Sequence, residues 1–218
     1  MELSLLKMMS LRLTVGDLLR EAIKSILQEK GNIPDVVKHT RISDPAGKLV
    51  LIMPGIDNAY GISSMADYCK KRADELLPES VSYIIPRDYR VSVAMALGEI
   101  KKQNVADLDS AGELMLAGFS AGGGSSLSFM SRSGDASMFD KFYLMDPSPV
   151  VATLPAAIGA KTLMIHNWRN WSEGATKRKP NFDSLSKSIN AAGGQAEETK
   201  LGHMAIFDEG LKRIAQGM

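Results

Sequence analysis

Apolar positions in this chain follow two patterns, one with helical spacing and one made of short continuous runs. Near the N-terminus, seven apolar residues recur at spacings of three and one, which places them on one face of a helix. These residues are Val15, Leu18, Leu19, Ala22, Ile23, Ile26 and Leu27. Thr14 stands at the N-cap position and Gly31 follows the last apolar residue. We therefore predict an N-terminal amphipathic helix, which forms an extension over residues 1–31.

After this extension, short apolar runs alternate with amphipathic segments. The run K-L-V-L-I-M at 48–53 is continuously apolar after its lysine, which is typical of a strand buried on both faces. The predicted strands are 35–42, 48–53, 81–85, 113–117, 142–145, 162–165 and 195–200. The predicted helices are 63–77, 91–103, 121–131, 181–192 and 204–215. This alternation predicts one α/β domain over residues 1–218, with a doubly wound, mostly parallel sheet and helices on both faces.

Composition narrows the classes of function. Lys and Arg number 26 and Asp and Glu 25, so the net charge of +1 excludes the polybasic face that non-specific nucleic-acid binding needs. The single cysteine, Cys69, excludes an internal disulfide and a cysteine-based zinc site. No apolar stretch approaches the roughly 18 residues of a membrane-spanning helix. We therefore expect a cytoplasmic protein with no transmembrane segment and no nucleic-acid partner.

The N-terminal helix is the one candidate for a macromolecular contact. Such a helix packs on its own domain, or it contacts a second copy in a homodimer. With the Leu- and Met-rich residues 3–13, it is also a candidate for contact with a membrane surface.

The strongest chemical motif follows the strand at 113–117. Residues 118–122 read G-F-S-A-G, a G-x-S-x-G pattern between a predicted strand and a predicted helix. The glycines permit a sharp turn that exposes the serine hydroxyl, and the new helix offers unpaired N–H groups. We predict Ser120 as a nucleophile and the Ala121 N–H as one oxyanion donor. A phosphate-binding P-loop is excluded, because it requires lysine where Gly124 stands.

A serine nucleophile needs a base, and the chain has three histidines. His203 follows the last predicted strand and directly precedes the last helix, within reach of the serine turn. His166, at the end of the strand 162–165, is the alternative. His39 lies upstream of all the loops concerned. The order of Ser120 and then His203 is that of α/β-hydrolases.

From Lys48 to its C-terminus, the chain resembles the α/β-hydrolase family, in particular its small, lidless carboxylesterases, thioesterases and dienelactone-hydrolase-like members. The resemblance rests on G-F-S-A-G, on the Gly-His pair near the end of the chain, and on the apolar strand followed by Pro54 and Gly55. It implies that the loop after that strand supplies the second oxyanion N–H, from Ile56 or else from Asp57. It also implies a serine hydrolase that cleaves an ester or thioester through an acyl-enzyme, without cofactor or metal.

The resemblance also implies an acid that orients the histidine and completes a catalytic triad. At this acid, the sequence departs from the family's pattern. The usual place, after the penultimate strand, holds Asn170. Asp146 is our first choice, because it directly follows the preceding core strand. Glu173 or Asp183, reaching back from the next loop, and a neutral Asn170 remain alternatives.

Both tryptophans lie in the segment 167–179, which also carries four basic residues. At the carboxyl edge of the sheet, this segment forms either a cationic substrate wall or a solvated loop. We expect Trp168, Trp171, Phe119 and Asp57 as substrate contacts. The alternative functions are an acyltransferase or peptidase with the same Ser–His machinery, or a non-catalytic binding protein of this fold.

Overall fold

The structure is a computed structural model and describes residues 36–44, 46–171 and 175–218. The predicted N-terminal helix, with its proposed contacts, and Glu173 lie outside these residues and stay predictions. No helix in the described part of the chain is both long and apolar enough to cross a membrane.

Seven strands form one sheet in the order β1-β3-β2-β4-β5-β6-β7. β1 is antiparallel to β3, and every other neighbouring pair is parallel. The strands are β1 (Val37–Arg41), β2 (Lys48–Met53), β3 (Val81–Pro86), β4 (Glu113–Phe119), β5 (Lys141–Met145), β6 (Thr162–His166) and β7 (Gln195–Glu198). The mostly parallel sheet predicted from the sequence is therefore confirmed.

Helices cover both faces of the sheet, because alternate residues of each buried strand point to opposite sides. In β2, Val50 and Ile52 share a core cluster with the first and last helices, whereas Leu49 and Leu51 share the other cluster with the helices on the opposite face. The helices are α1 (Met65–Leu76), α2 (Val93–Gln103), α3 (Ala121–Arg132), α4 (Ala156–Gly159), α5 (Ala175–Ala191) and α6 (His203–Gln216). The doubly wound arrangement is confirmed as well.

One element begins earlier than predicted. Helix α5 starts at Ala175 and contains Pro180, whereas the sequence analysis began the helix at 181, just after this proline. Proline removes the backbone hydrogen bond that its N–H would make, but here the helix continues through it. Among the side chains of α5 that the structure describes (residues 178–191), the buried hydrophobic ones are Phe182, Leu185 and Ile189, which follow the proline and give the periodicity that the sequence analysis detected. The other predicted boundaries differ from the structure by at most two residues.

Candidate active site

Ser120 occupies a strained turn between β4 and α3. Its φ of 56° and ψ of −120° lie in a region that residues with a side chain rarely adopt. Hydrogen bonds hold the turn on both sides. The Ser120 N–H donates to the Met145 carbonyl at 3.1 Å, and its carbonyl accepts from the Ser148 N–H at 2.8 Å. The surrounding structure thus stabilises a backbone conformation that would otherwise be unfavourable.

Two glycines allow this turn to pack closely against the loop after β2. A Cβ atom on Gly122 would overlap the carbonyl oxygens of Met53 and Pro54, so a side chain cannot be accommodated there. A Cβ atom on Gly55 would lie 3.0 Å from the Cβ of Ser120. The loop that contains Ile56 therefore passes directly beside the serine.

A buried histidine–carboxylate pair lies beside the serine turn. The Nδ1 atom of His203, the first residue of α6, lies 2.6 Å from Oδ2 of Asp146, which follows β5. The Asp146 side chain is fully buried, and His203 is 6 % exposed. The ring of Phe119, next to Ser120 in sequence, lies 4.7 Å from the imidazole between centroids. With Nδ1 on the carboxylate, Nε2 is the nitrogen available for proton transfer.

Asp146 accepts hydrogen bonds from two further groups, both in the segment after β6. The Asn167 backbone N–H donates to Oδ1 at 2.9 Å, and the Asn170 side-chain amide donates to Oδ2 at 2.9 Å. Both asparagine side chains also donate to the carbonyl of Leu201, two residues before His203. This network solvates a carboxylate that burial would otherwise disfavour as an anion. Asn170, an alternative third member in the sequence analysis, thus contacts the acid itself.

Three aromatic rings lie next to the imidazole. Phe119 lies at 4.7 Å with an interplanar angle of 36°, and Tyr60 lies at 5.0 Å and 30°. Trp171 presents its edge at 5.5 Å and 80°. Tyr60 was not among the predicted site residues, because nothing in the sequence of the loop after β2 distinguishes it from an ordinary turn residue.

Two backbone N–H groups were predicted as oxyanion donors. Ala121 is the first residue of α3, so its N–H has no acceptor within the helix. Ile56 follows Gly55 in the loop packed beside Ser120, and its side chain is exposed. Ala121 directly follows Ser120 in the chain and Ile56 lies in the loop beside it, and their role as oxyanion donors stays a prediction.

Three predicted substrate contacts have partners within the protein. Asp57 accepts a hydrogen bond from the Met65 N–H at 2.7 Å, so its carboxylate caps the start of α1. Phe119 is fully buried and supports His203 from the core side, so it has no surface to offer a substrate. The indole N–H of Trp168 donates to Glu198 at 2.9 Å, at the outer end of the sheet. Trp171 alone of the two tryptophans contacts the imidazole.

The other candidate acid and the other two histidines are not part of the His203–Asp146 pair. Asp183 forms an ion pair with Lys179 at 2.7 Å. His166 lies 3.2 Å from the hydroxyl of Ser186, and its ring stacks on Phe182. His39 contacts Asp67 at the edge strand.

No protein-family model and no curated protein matches the sequence. Solved structures similar to this chain include an α/β serine hydrolase without a lid from Xanthomonas campestris, at 13 % identity, covering 85 % of this chain and 93 % of that one, with a TM-score of 0.47. The protein Est1E from Butyrivibrio proteoclasticus has 10 % identity, coverages of 78 % and 87 % and a TM-score of 0.47. A protein of unknown function from Agrobacterium tumefaciens has 16 % identity, coverages of 83 % and 96 % and a TM-score of 0.47.

The serine turn between β4 and α3 and the histidine that follows β7 lie where the resemblance stated in the sequence analysis leads one to expect them.

Proposed function

We propose that this protein is a serine hydrolase that cleaves a carboxylic ester or thioester through an acyl-enzyme intermediate. The observation that carries the proposal is the 2.6 Å contact between His203 Nδ1 and Asp146 Oδ2, buried beside a serine in a strained turn. A nucleophile, a base and an oriented acid are the three parts that acyl transfer to serine requires.

In the first half of the proposed reaction, His203 Nε2 takes the proton of the Ser120 hydroxyl while Oγ attacks the carbonyl carbon. The carbonyl oxygen becomes an oxyanion, which the N–H groups of Ala121 and Ile56 stabilise. The bond from carbon to the leaving oxygen or sulfur then breaks, and His203 returns the proton to that atom. A neutral alcohol or thiol departs and an acyl group remains on Ser120.

In the second half, water attacks the acyl carbon and gives its proton to His203. Collapse of this second oxyanion breaks the bond to Ser120, whose Oγ recovers the proton from His203. Asp146 stays ionised throughout and holds the Nδ1–H, so that Nε2 carries the lone pair when the base is needed. Its carboxylate also stabilises the imidazolium formed in each half.

Labelling with a fluorophosphonate tests this proposal, because the reagent needs an activated serine but not the correct substrate. We expect the wild type to be labelled at Ser120 and to hydrolyse short p-nitrophenyl esters. Ser120→Ala should lose both properties, at a cost on the order of 10⁶ in kcat. Ser128→Ala, on the same helix, is the matched control and should behave as the wild type. A folded wild type that is neither labelled nor active would refute the proposal and favour a binding protein.

A further inference from the structure

Tyr60 combines exposure with contact to the proposed base. Its side chain is 60 % exposed, more than any other large hydrophobic residue in the described part of the chain. Its ring nevertheless stacks on His203, with centroids 5.0 Å apart and planes at 30°. One face of the phenol ring therefore shields the imidazole, while most of its remaining surface is available to another molecule.

The backbone holds Tyr60 in an unfavourable conformation. Its φ is 55°, and within the same turn Asn58 has a φ of 58° and Gly61 one of 74°. Asparagine and glycine tolerate this region, but a bulky aromatic residue rarely occupies it. A hydrogen bond from the Ile62 N–H to the Ala59 carbonyl, at 2.9 Å, closes the turn around it. Strain of this kind is concentrated at functional sites.

The chemistry of the proposed reaction places the leaving group next to this ring. Nδ1 of His203 is bound to Asp146, so Nε2 both accepts the Ser120 proton and delivers it to the leaving atom. The leaving group must therefore approach the imidazole and pass along the rings that border it. Phe119 is fully buried, which leaves Tyr60 and Trp171 as the rings that a leaving group can touch.

Other exposed apolar side chains come from segments that follow parallel strands. Among the seven large hydrophobic side chains exposed in the described part of the chain, Tyr60 and Ile56 follow β2, Val150 follows β5 and Leu201 follows β7. The guanidinium of Arg178 lies over the ring of Trp171, 4.7 Å from its centroid. Partial burial and the nearby charge of Asp146 both raise the pKa of Tyr60, so its ring is neutral at physiological pH. A flat, unsaturated group can stack on the exposed face of this neutral ring.

We infer that Tyr60 determines specificity for the leaving group, and that the preferred substrates are esters or thioesters of an aromatic or flat, unsaturated alcohol or thiol. The inference rests on the proposed function and deepens it. It adds no chemical step, because the bonds that form and break are those already described for Ser120 and His203. Tyr60 stacks on the leaving group while the bond from acyl carbon to leaving atom breaks and the proton passes from His203 to that atom.

Two acetate esters that differ only in flatness test the inference. Benzyl acetate and cyclohexylmethyl acetate share their acyl group and carbon skeleton, and their alcohols have similar acidity. We expect the wild type to favour benzyl acetate about fivefold to tenfold in kcat/KM, which is the range of an aromatic pair. Tyr60→Phe should keep this ratio. Tyr60→Asn removes the ring but suits the positive φ, and should bring the ratio close to one while ethyl acetate is still hydrolysed.

A matched control separates the ring from the backbone. Asn58→Gly relaxes the same turn but keeps Tyr60, so it should retain the wild-type ratio. If Tyr60→Asn retains the ratio, or if a labelled wild type fails to favour benzyl acetate, the inference is overturned while the proposed function stands. A wild type that is neither labelled by a fluorophosphonate nor active on any ester overturns both.

Discussion

His203 and His166 have nearly the same burial but opposite surroundings. Both lie at the carboxyl edge of the sheet, at 6 % and 3 % exposure, and each has a phenylalanine ring 4.7 Å from its own. His203 binds a carboxylate through Nδ1. The Nε2 atom of His166 lies 3.2 Å from the hydroxyl of Ser186, and its Nδ1 atom is buried without a hydrogen-bond partner among the described residues.

The two histidines differ in how they are placed relative to the carboxylate of Asp146. The residue after His166 is Asn167, whose backbone N–H binds Oδ1 of Asp146, while Oδ2 of the same group binds His203. Burial lowers the pKa of His166, and the charges of Asp146 and Glu198 oppose this shift without cancelling it. Burial therefore favours the neutral form of His166. A carboxylate in contact with the ring, as at His203, orients the imidazole and stabilises the imidazolium that forms when a proton is transferred.

Replacing each histidine in turn should give the largest difference in activity between the two positions. We expect His203→Ala to lower kcat by about 10⁵-fold to 10⁶-fold, as loss of the base does in serine hydrolases. His166→Gln should keep kcat within about threefold, since it takes no part in proton transfer. Steady-state kinetics with a p-nitrophenyl ester measure both values. The reverse order of effects would assign the base to His166.

The next largest effect should come from the carboxylate itself. Asp146→Asn leaves the shape of the side chain intact but favours the wrong tautomer of His203, so we expect kcat to fall by about 10⁴. Asp183→Asn, which removes a carboxylate paired with Lys179, is the control and should leave kcat unchanged. Rapid-quench or steady-state assays will detect the difference. A wild-type rate in Asp146→Asn would contradict the assigned pair.

Asn170 should show a smaller and more selective effect. Its amide positions Asp146 and the Leu201 carbonyl, so Asn170→Ala removes a hydrogen bond to a charged group. Such bonds are worth about 1.5–3 kcal/mol, and we expect kcat to fall by roughly tenfold to hundredfold with KM unchanged. A change confined to KM would instead place Asn170 against the substrate.

The smallest effect concerns stability and pH. The pKa of His166 is lowered in the fold from an ordinary value of 6.5, so below that pH the unfolded chain binds the proton more readily than the native protein. His166 should therefore make the free energy of unfolding decrease as the pH falls below about 6.5. Urea titrations between pH 7.5 and 5 should show a flatter dependence for His166→Gln than for the wild type. Equal slopes would mean that another group dominates.

Tyr60 and Trp171 show why the sequence did not reveal the whole site. Tyr60 lies in a turn between β2 and α1, where no periodicity applies, and only its left-handed backbone conformation directs its ring onto His203. Trp171 was predicted as a substrate contact together with Trp168, because the sequence gives no reason to distinguish the two tryptophans. Their positions around a short 3₁₀ turn send one toward His203 and the other toward Glu198.

By itself, the sequence determined the order of strands and helices, the doubly wound class, and the turn at Ser120. Each depends on local chemistry, because apolar spacing selects the element and small residues permit the sharp turn. Tertiary structure alone decided which polar group lies behind His203. Asp146 and His203 are 57 residues apart, and Asn170 and Asp183 also follow or flank the same edge of the sheet. Only the register of β5 and β6, together with the 3₁₀ turn after β6, brings one carboxylate within 2.6 Å of the imidazole and turns Asn170 to support it.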